Sequence, residues 1–166
     1  MGQSDHVLER EQRIPRPIDE VFAFFADAYN LQAITPPWLH FRILRVSEGE
    51  IRRGTLIQYA IRWHGIPLRW TTEIIEWSPP HGFIDEQISG PYRLWRHEHR
   101  FVPDGDGTIM RDRVTYRLPF GMLGRGVHTM MVRRDVARIF DYRAEFIRRP
   151  QSRSGDTGPP FGAGPK

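Results

Sequence analysis

Between Trp38 and Leu118 the apolar residues fall at every second position, in runs broken at Gly49, Gly54, Gly65, Pro79, Gly90 and residues 104–107. Nothing else in the chain constrains the fold as strongly. Period two puts alternate side chains on opposite faces of a pleated strand, and a sheet with one apolar face has to bury it. The breaks divide the run into about six strands, arranged as an antiparallel meander.

Two hairpins within the run can be registered by arithmetic. With His64 and Gly65 as a two-residue turn, Trp63 faces Ile66, Ile61 faces Leu68, Tyr59 faces Trp70 and Ile57 faces Thr72, so one face is almost wholly apolar. Gln58, Arg62, Arg69 and Glu73 fall on the other. With residues 104–107 as a four-residue loop, Phe101 faces Met110, His99 faces Asp112, His97 faces Val114 and Trp95 faces Tyr116. Outside, Glu98 opposite Arg113 supports this register and Arg100 opposite Arg111 opposes it.

The flanking segments read differently. Residues 7–14 (VLEREQRI) alternate weakly and predict an opening strand, stopped by Pro15 and Pro17. Residues 18–28 predict a helix. Pro17 suits its start, Asp19 and Glu20 suit the positive end of its dipole, and Ile18, Val21, Phe22 and Phe25 recur at helical spacing. Residues 29–35 predict a second short helix, ended by Pro36 and Pro37. Beyond Pro119 the period becomes helical again over residues 123–148, with Val132, Val136, Ile139, Phe140, Phe146 and Ile147 on one stripe. That helix would be roughly 39 Å long, enough to cross a sheet. Gly124 and Gly126 at its start suggest either a frayed first turn or a hinge. Residues 150–166 hold four prolines, four glycines and one aromatic, and predict a disordered tail after a single domain spanning residues 1–149.

This order of elements is α+β. A curved antiparallel sheet of about seven strands, apolar on one side only, can bury that side by wrapping around the long C-terminal helix, with two short helices after strand 1. That is the helix-grip fold. Through RPIDEVFAFFADAYNLQAITPPW, GIPLRWTTEIIEWSPPHGFIDEQISGPYRLWRHEHRF and DRVTYRLPFG, the chain resembles the START-related (SRPBCC) ligand-binding superfamily, and within it a bacterial polyketide cyclase/dehydrase-like subgroup. The resemblance spans about residues 7–149. It implies the fold strongly and the chemistry weakly, because carriers, sensors and enzymes share the scaffold.

The inward stripe carries the candidate site. Tyr59, Trp63, Trp70, Trp95, Phe101, Met110 and Tyr116 are its apolar members, and Thr72, His97, His99 and Asp112 are polar exceptions. Phe140 and Arg143 would face them from the long helix; Arg143 either snorkels to solvent, the preferred expectation, or meets an acidic ligand. A mostly apolar lining with a few fixed polar groups is what a pocket for a small molecule requires. A filled core with satisfied histidines has the same composition. In the catalytic reading Asp112 fixes the tautomer of His99, whose other nitrogen then moves a proton. His97, His99 and a carboxylate also have the composition of a facial metal set. No third ligand beyond Asp112 is evident and the resemblance implies no metal, so neither metal nor cofactor is expected.

Three functions remain open: binding or transport of a hydrophobic small molecule (a lipid, an isoprenoid or quinone, or an aromatic polyketide-like compound); a cyclase/dehydratase-like enzyme using His99 with Asp112; or a structural domain with a filled core. The absence of cysteine excludes disulfides and thiolate chemistry. No serine nucleophile elbow, phosphate loop or dinucleotide fingerprint occurs. Acidic residues are interspersed with basic ones to a net charge of only +4, and no recognition motif is present, so nucleic acid is not an expected partner. No membrane-spanning stretch or secretory leader is legible, and the expectation is a cytoplasmic protein without stable membrane insertion.

Overall fold

The computed structural model describes residues 5–47, 49–119 and 125–148, with side chains in the last segment from residue 130 onward. The proline- and glycine-rich segment 150–166 and Gly124 lie outside the described residues. Seven strands form one antiparallel sheet: β1 (His6–Ile14), β2 (Arg42–Val46), β3 (Leu56–Trp63), β4 (Ile66–Ser78), β5 (Gly82–Ser89), β6 (Leu94–Asp104) and β7 (Gly107–Arg117). The order across the sheet is β1-β7-β6-β5-β4-β3-β2, so the meander from β2 to β7 is closed by β1 alongside β7. Helices α1 (Ile18–Phe25) and α2 (Asn30–Ala33) follow β1, and α3 (Arg125–Arg148) ends the described chain. The curved sheet with its C-terminal helix is the helix-grip fold.

Both hairpin registers are as the sequence predicts. Trp63 faces Ile66, and His64 and Gly65 take the positive φ values (47° and 84°) that a two-residue hairpin turn demands. Phe101 faces Met110 and His99 faces Asp112. The second turn is tighter than expected, since Asp104 pairs with Gly107 and only Gly105 and Asp106 remain outside the ladder. The like-charge opposition of Arg100 and Arg111 is relieved sideways. Arg100 reaches Glu76 on β4 (2.8 Å) and Arg111 reaches Glu11 on β1 (2.6 Å). The expected cross-strand pair is also redistributed: Arg113 turns to Glu9, and Glu98 to Arg96.

The inner face is covered by two different structures. Near α1, Phe22 packs against Phe101, Phe83 and Trp77 in a cluster that also holds Met110, Ile14 and Ile147. Nearer the middle of α3, Val132, Val136 and Phe140 pack with Val114 and Tyr116. The helix is pinned over the sheet at two places, the edge strand β1 and the β3–β4 hairpin. Asp141 meets Arg10 on β1 (3.1 Å), while Asp135 accepts the indole N–H of Trp63 on β3 (2.8 Å) and lies 2.8 Å from His64 Nε2. Between these supports the sheet and helix do not close on each other.

Candidate functional site

The gap is a cavity of about 210 Å³, lined by residues of β3, β4, β5 and β6 on one side, α3 on the other, and α1 and α2 at one end. Its volume lies a little below the range of roughly 300–1,000 Å³ usual for drug-sized ligands. Of the residues anticipated from sequence, Tyr59, Trp63, Trp70, Thr72, Trp95, His97, His99, Phe140 and Arg143 line it. Period two explains most of this wall, because β3 and β4 present Tyr59 and Trp70 to the same face, where their rings stack at 5.6 Å. Trp95 meets Trp70 edge-on at 5.2 Å. The rings are thus held by one another, which keeps the wall in place with or without an occupant.

Phe101, Met110, Asp112 and Tyr116 do not line the cavity, contrary to the sequence expectation. Phe101 and Met110 lie under α1, where Phe22 and Phe25 cover the end of the β6–β7 hairpin. Tyr116 is covered by Tyr92 and Trp95. Asp112 sits behind the two histidines. Correct strand parity put these side chains on the inner face, but parity does not say which element lies above each position.

Asp112 is the inner anchor of a buried polar cluster. Its Oδ1 lies 2.9 Å from His97 Nε2 and 3.0 Å from His99 Nδ1, the second contact being misaligned for a hydrogen bond. On the cavity side Asp85 Oδ2 is 3.4 Å from His99 Nε2 and 3.8 Å from His97 Nδ1, while Asp85 Oδ1 accepts from the Thr72 hydroxyl at 3.2 Å. The imidazoles, with centroids 3.7 Å apart, are therefore held between two carboxylates. Asp85 was missed in the sequence reading. It shares parity with the buried Phe83, which was a legible signal. Its alignment with His97, however, depends on the β5–β6 register, and the wide connection between those strands hides that register.

Burial raises a carboxyl pKa, but the close approach and charge of the two histidines outweigh it, holding Asp112 far below the usual carboxylate range and Asp85 below it as well. The imidazoles diverge. Burial and the neighbouring His99 push His97 down, so it stays neutral. Burial also opposes the charged form of His99, but Asp112 and Asp85 on either side of the ring overcome it and raise its pKa. Because an ionised Asp112 can only accept, the His97 proton resides on Nε2 and leaves Nδ1 as a bare acceptor on the cavity side.

Arg143 is only 7% exposed and lies on the buried stripe Val132, Val136, Phe140, Arg143, Ile147, with its guanidinium over the Phe140 ring at 4.9 Å. The expected snorkelling to solvent does not occur, because the stripe position turns the side chain into the cavity wall. Burial lowers its pKa against the attraction of Asp112, Asp85 and Tyr59. Asp135 is a further polar lining residue not singled out from sequence; its placement in the wall follows from the contact of α3 with the β3–β4 turn.

The donor atoms of Asp85, His97 and His99 lie within 4.8 Å of one another, which has the composition of a two-histidine, one-carboxylate metal set. The carboxylate is Asp85 and not the anticipated Asp112, which stands on the far side of both rings. A cation there would compete with protonation of His99, which the two carboxylates favour and which removes a ligating lone pair.

A helix-grip domain enclosing a mostly apolar cavity with one polar cluster defines a class of ligand-binding and cyclase-type proteins, and the sequence agrees. Residues 14–140 match the model of the polyketide cyclase/dehydrase and lipid transport family, and the chain belongs to that family. No curated protein sequence matches the chain. Among solved structures it is similar to the ZhuI aromatase/cyclase from a Streptomyces species (TM-score 0.71, 16% identity, covering 87% of this chain and 92% of that one). Norcoclaurine synthase from Thalictrum flavum, in complex with dopamine and hydroxybenzaldehyde, superposes with a TM-score of 0.63 at 14% identity, over 91% of each chain. The protein TTHA0849 from Thermus thermophilus does so at 0.64 and 18%, over 86% of this chain and 97% of that one. At these identities the likeness shows the shared fold.

Proposed function

We propose that this domain binds a compact hydrophobic molecule in the cavity between the sheet and α3. The observation that carries this reading is the cavity itself: about 210 Å³ bounded by aromatic rings that pack on one another, Tyr59 on Trp70 and Trp95 edge-on to Trp70. An empty apolar cavity costs dispersion contacts, roughly 24 cal/mol per Å³ in core-deletion series, so a ligand that fills it gains what the fold forgoes. Membership of a family described by polyketide cyclisation and lipid transport, and the likeness to a norcoclaurine synthase in complex with dopamine and hydroxybenzaldehyde, support a small apolar ligand. A lipid, an isoprenoid and an aromatic polyketide fragment are all within it. Native mass spectrometry of the purified full chain tests the reading, with a co-purifying small molecule as the expected result. A chain that is always empty, and whose melting temperature no member of an apolar library raises, would count against it.

A second reading, a cyclase-type enzyme, is favoured by one observation: two imidazoles whose pKa values are displaced in opposite directions lie side by side at the cavity wall. In that case His97 Nδ1 would take the proton and the imidazolium of His99 would donate one, which moves the general base from His99 to His97. The test is the His97→Gln variant assayed on an aromatic polyketide-type substrate; it should lose turnover while retaining binding, and an unchanged rate would count against this reading.

A further inference from the structure

Among the described residues of α3 five are buried on one stripe, and Arg143 is the only charged one of these five. No carboxylate among the described residues comes within 4.0 Å of its guanidinium, and no carbonyl or hydroxyl accepts from it; its Nε is fully enclosed without a partner. The nearby carboxylates are committed elsewhere, Asp112 to His97 and His99 and Asp85 to Thr72 and His99. Distant negative charge lowers the energy of a buried cation but supplies no acceptor for its N–H groups, and a buried donor left unsatisfied is costly. The Phe140 ring offers a face to the cation and nothing to the hydrogen-bonding edge.

We infer that Arg143 receives an oxyanion of the ligand, and that the natural occupant is a small carboxylic acid with an aromatic or otherwise apolar body. The inference rests on the hydrophobic-ligand reading and deepens it. Guanidinium and carboxylate match as planar, bidentate partners, and their hydrogen bonds are stronger than those to a neutral carbonyl. Tyr59, Trp70 and Trp95 supply flat apolar surface for the rest of the molecule. The carboxylate end lies at α3 and the apolar end against β3, β4 and β6.

The experiment uses 2-naphthoate and 2-naphthamide, which share a body and differ in charge, titrated calorimetrically into the full chain and into its Arg143→Met and Arg143→Lys variants at neutral pH. The expected result is that the wild type prefers the acid at least tenfold, that Arg143→Met brings acid and amide to parity by weakening only the acid, and that Arg143→Lys keeps part of the preference. In the ligand-free state Arg143→Met should melt no lower than the wild type, because it removes a cation without acceptors. Equal binding of acid and amide to the wild type, or an undiminished preference in Arg143→Met, overturns the assignment of Arg143 and leaves the hydrophobic-ligand reading standing. Failure of both probes to bind the wild type overturns both. A large loss of melting temperature in Arg143→Met also overturns the inference, since it would make the arginine a structural partner of Asp85 and Asp112.

Discussion

His97 and His99 place their ring centroids 3.7 Å apart and approach the same oxygen, Asp112 Oδ1, at 2.9 and 3.0 Å. Two imidazoles that close cannot both be charged without repulsion, and burial magnifies the effect. Asp85 reaches His99 more closely than His97, 3.4 Å against 3.8 Å, and this contact adds to the upward displacement of the His99 pKa while burial and the neighbouring ring lower that of His97.

Side-chain NMR of the two imidazoles should therefore show opposite displacements from the ordinary value of 6.5, His99 above it and His97 below. Identical titrations near 6.5 would mean that the pair is not held between carboxylates.

The same divergence sets the dependence of stability on pH. His99, raised in the fold, contributes stability that is fully present below 6.5 and lost as pH rises through its folded value. His97, depressed in the fold, contributes stability present above 6.5 and lost as pH falls through its folded value. Asp85 and Asp112, also depressed, add a further loss as pH falls below 3.8 toward theirs. Thermal melts across pH should peak near neutrality, and His99→Gln should flatten the alkaline limb. A variant with an unchanged alkaline limb would show that another group causes the decline.

Asp112→Asn should destabilise the domain by about 3–5 kcal/mol in urea unfolding, the usual cost of stripping one partner from a buried ionic cluster. Asp85→Asn should cost less, because Asp85 is nearer solvent and its closest acceptor contact, to the Thr72 hydroxyl, survives as an amide hydrogen bond. The reverse ranking would place the anchor of the cluster on β5 rather than β7.

Ile139 lies half-buried at the helix wall of the cavity. Ile139→Trp should extend into the space, abolish binding of an apolar ligand and change unfolding free energy by less than about 1.5 kcal/mol, because a void accepts added volume that a packed core rejects. A loss several times larger would mean that the gap is not available to side chains.

Asp135 ties α3 to the β3–β4 turn through Trp63 and His64. Asp135→Ala should cost about 1–3 kcal/mol and speed hydrogen exchange in the middle of α3, while the β6–β7 amides stay protected. Uniform acceleration across the sheet would show that the contact stabilises the whole domain rather than the position of the helix.

Gly82 shows how local sequence sustains the site from outside it. A Cβ at this position would lie 2.2 Å from the carbonyl oxygen of His99, so only glycine lets β5 approach β6 closely enough to align Asp85 with His97.

The sequence by itself determined the strands and their parity, the β3–β4 and β6–β7 registers, and the apolar stripe of α3. These are local properties: a two-residue turn fixes the pairing of its own strands, and side-chain period fixes which face each residue takes. Only the tertiary structure decided that Asp85 joins His97 and His99, that Arg143 is enclosed rather than extended to water, and that α1 covers Phe101 and Met110 while a space stays open above Trp70. Those outcomes depend on the register across a wide β5–β6 connection and on where two helices come to rest on one continuous apolar face. Alternation marks that face as buried but does not say what buries it, since packing between elements distant in sequence is chosen by the fit of whole surfaces.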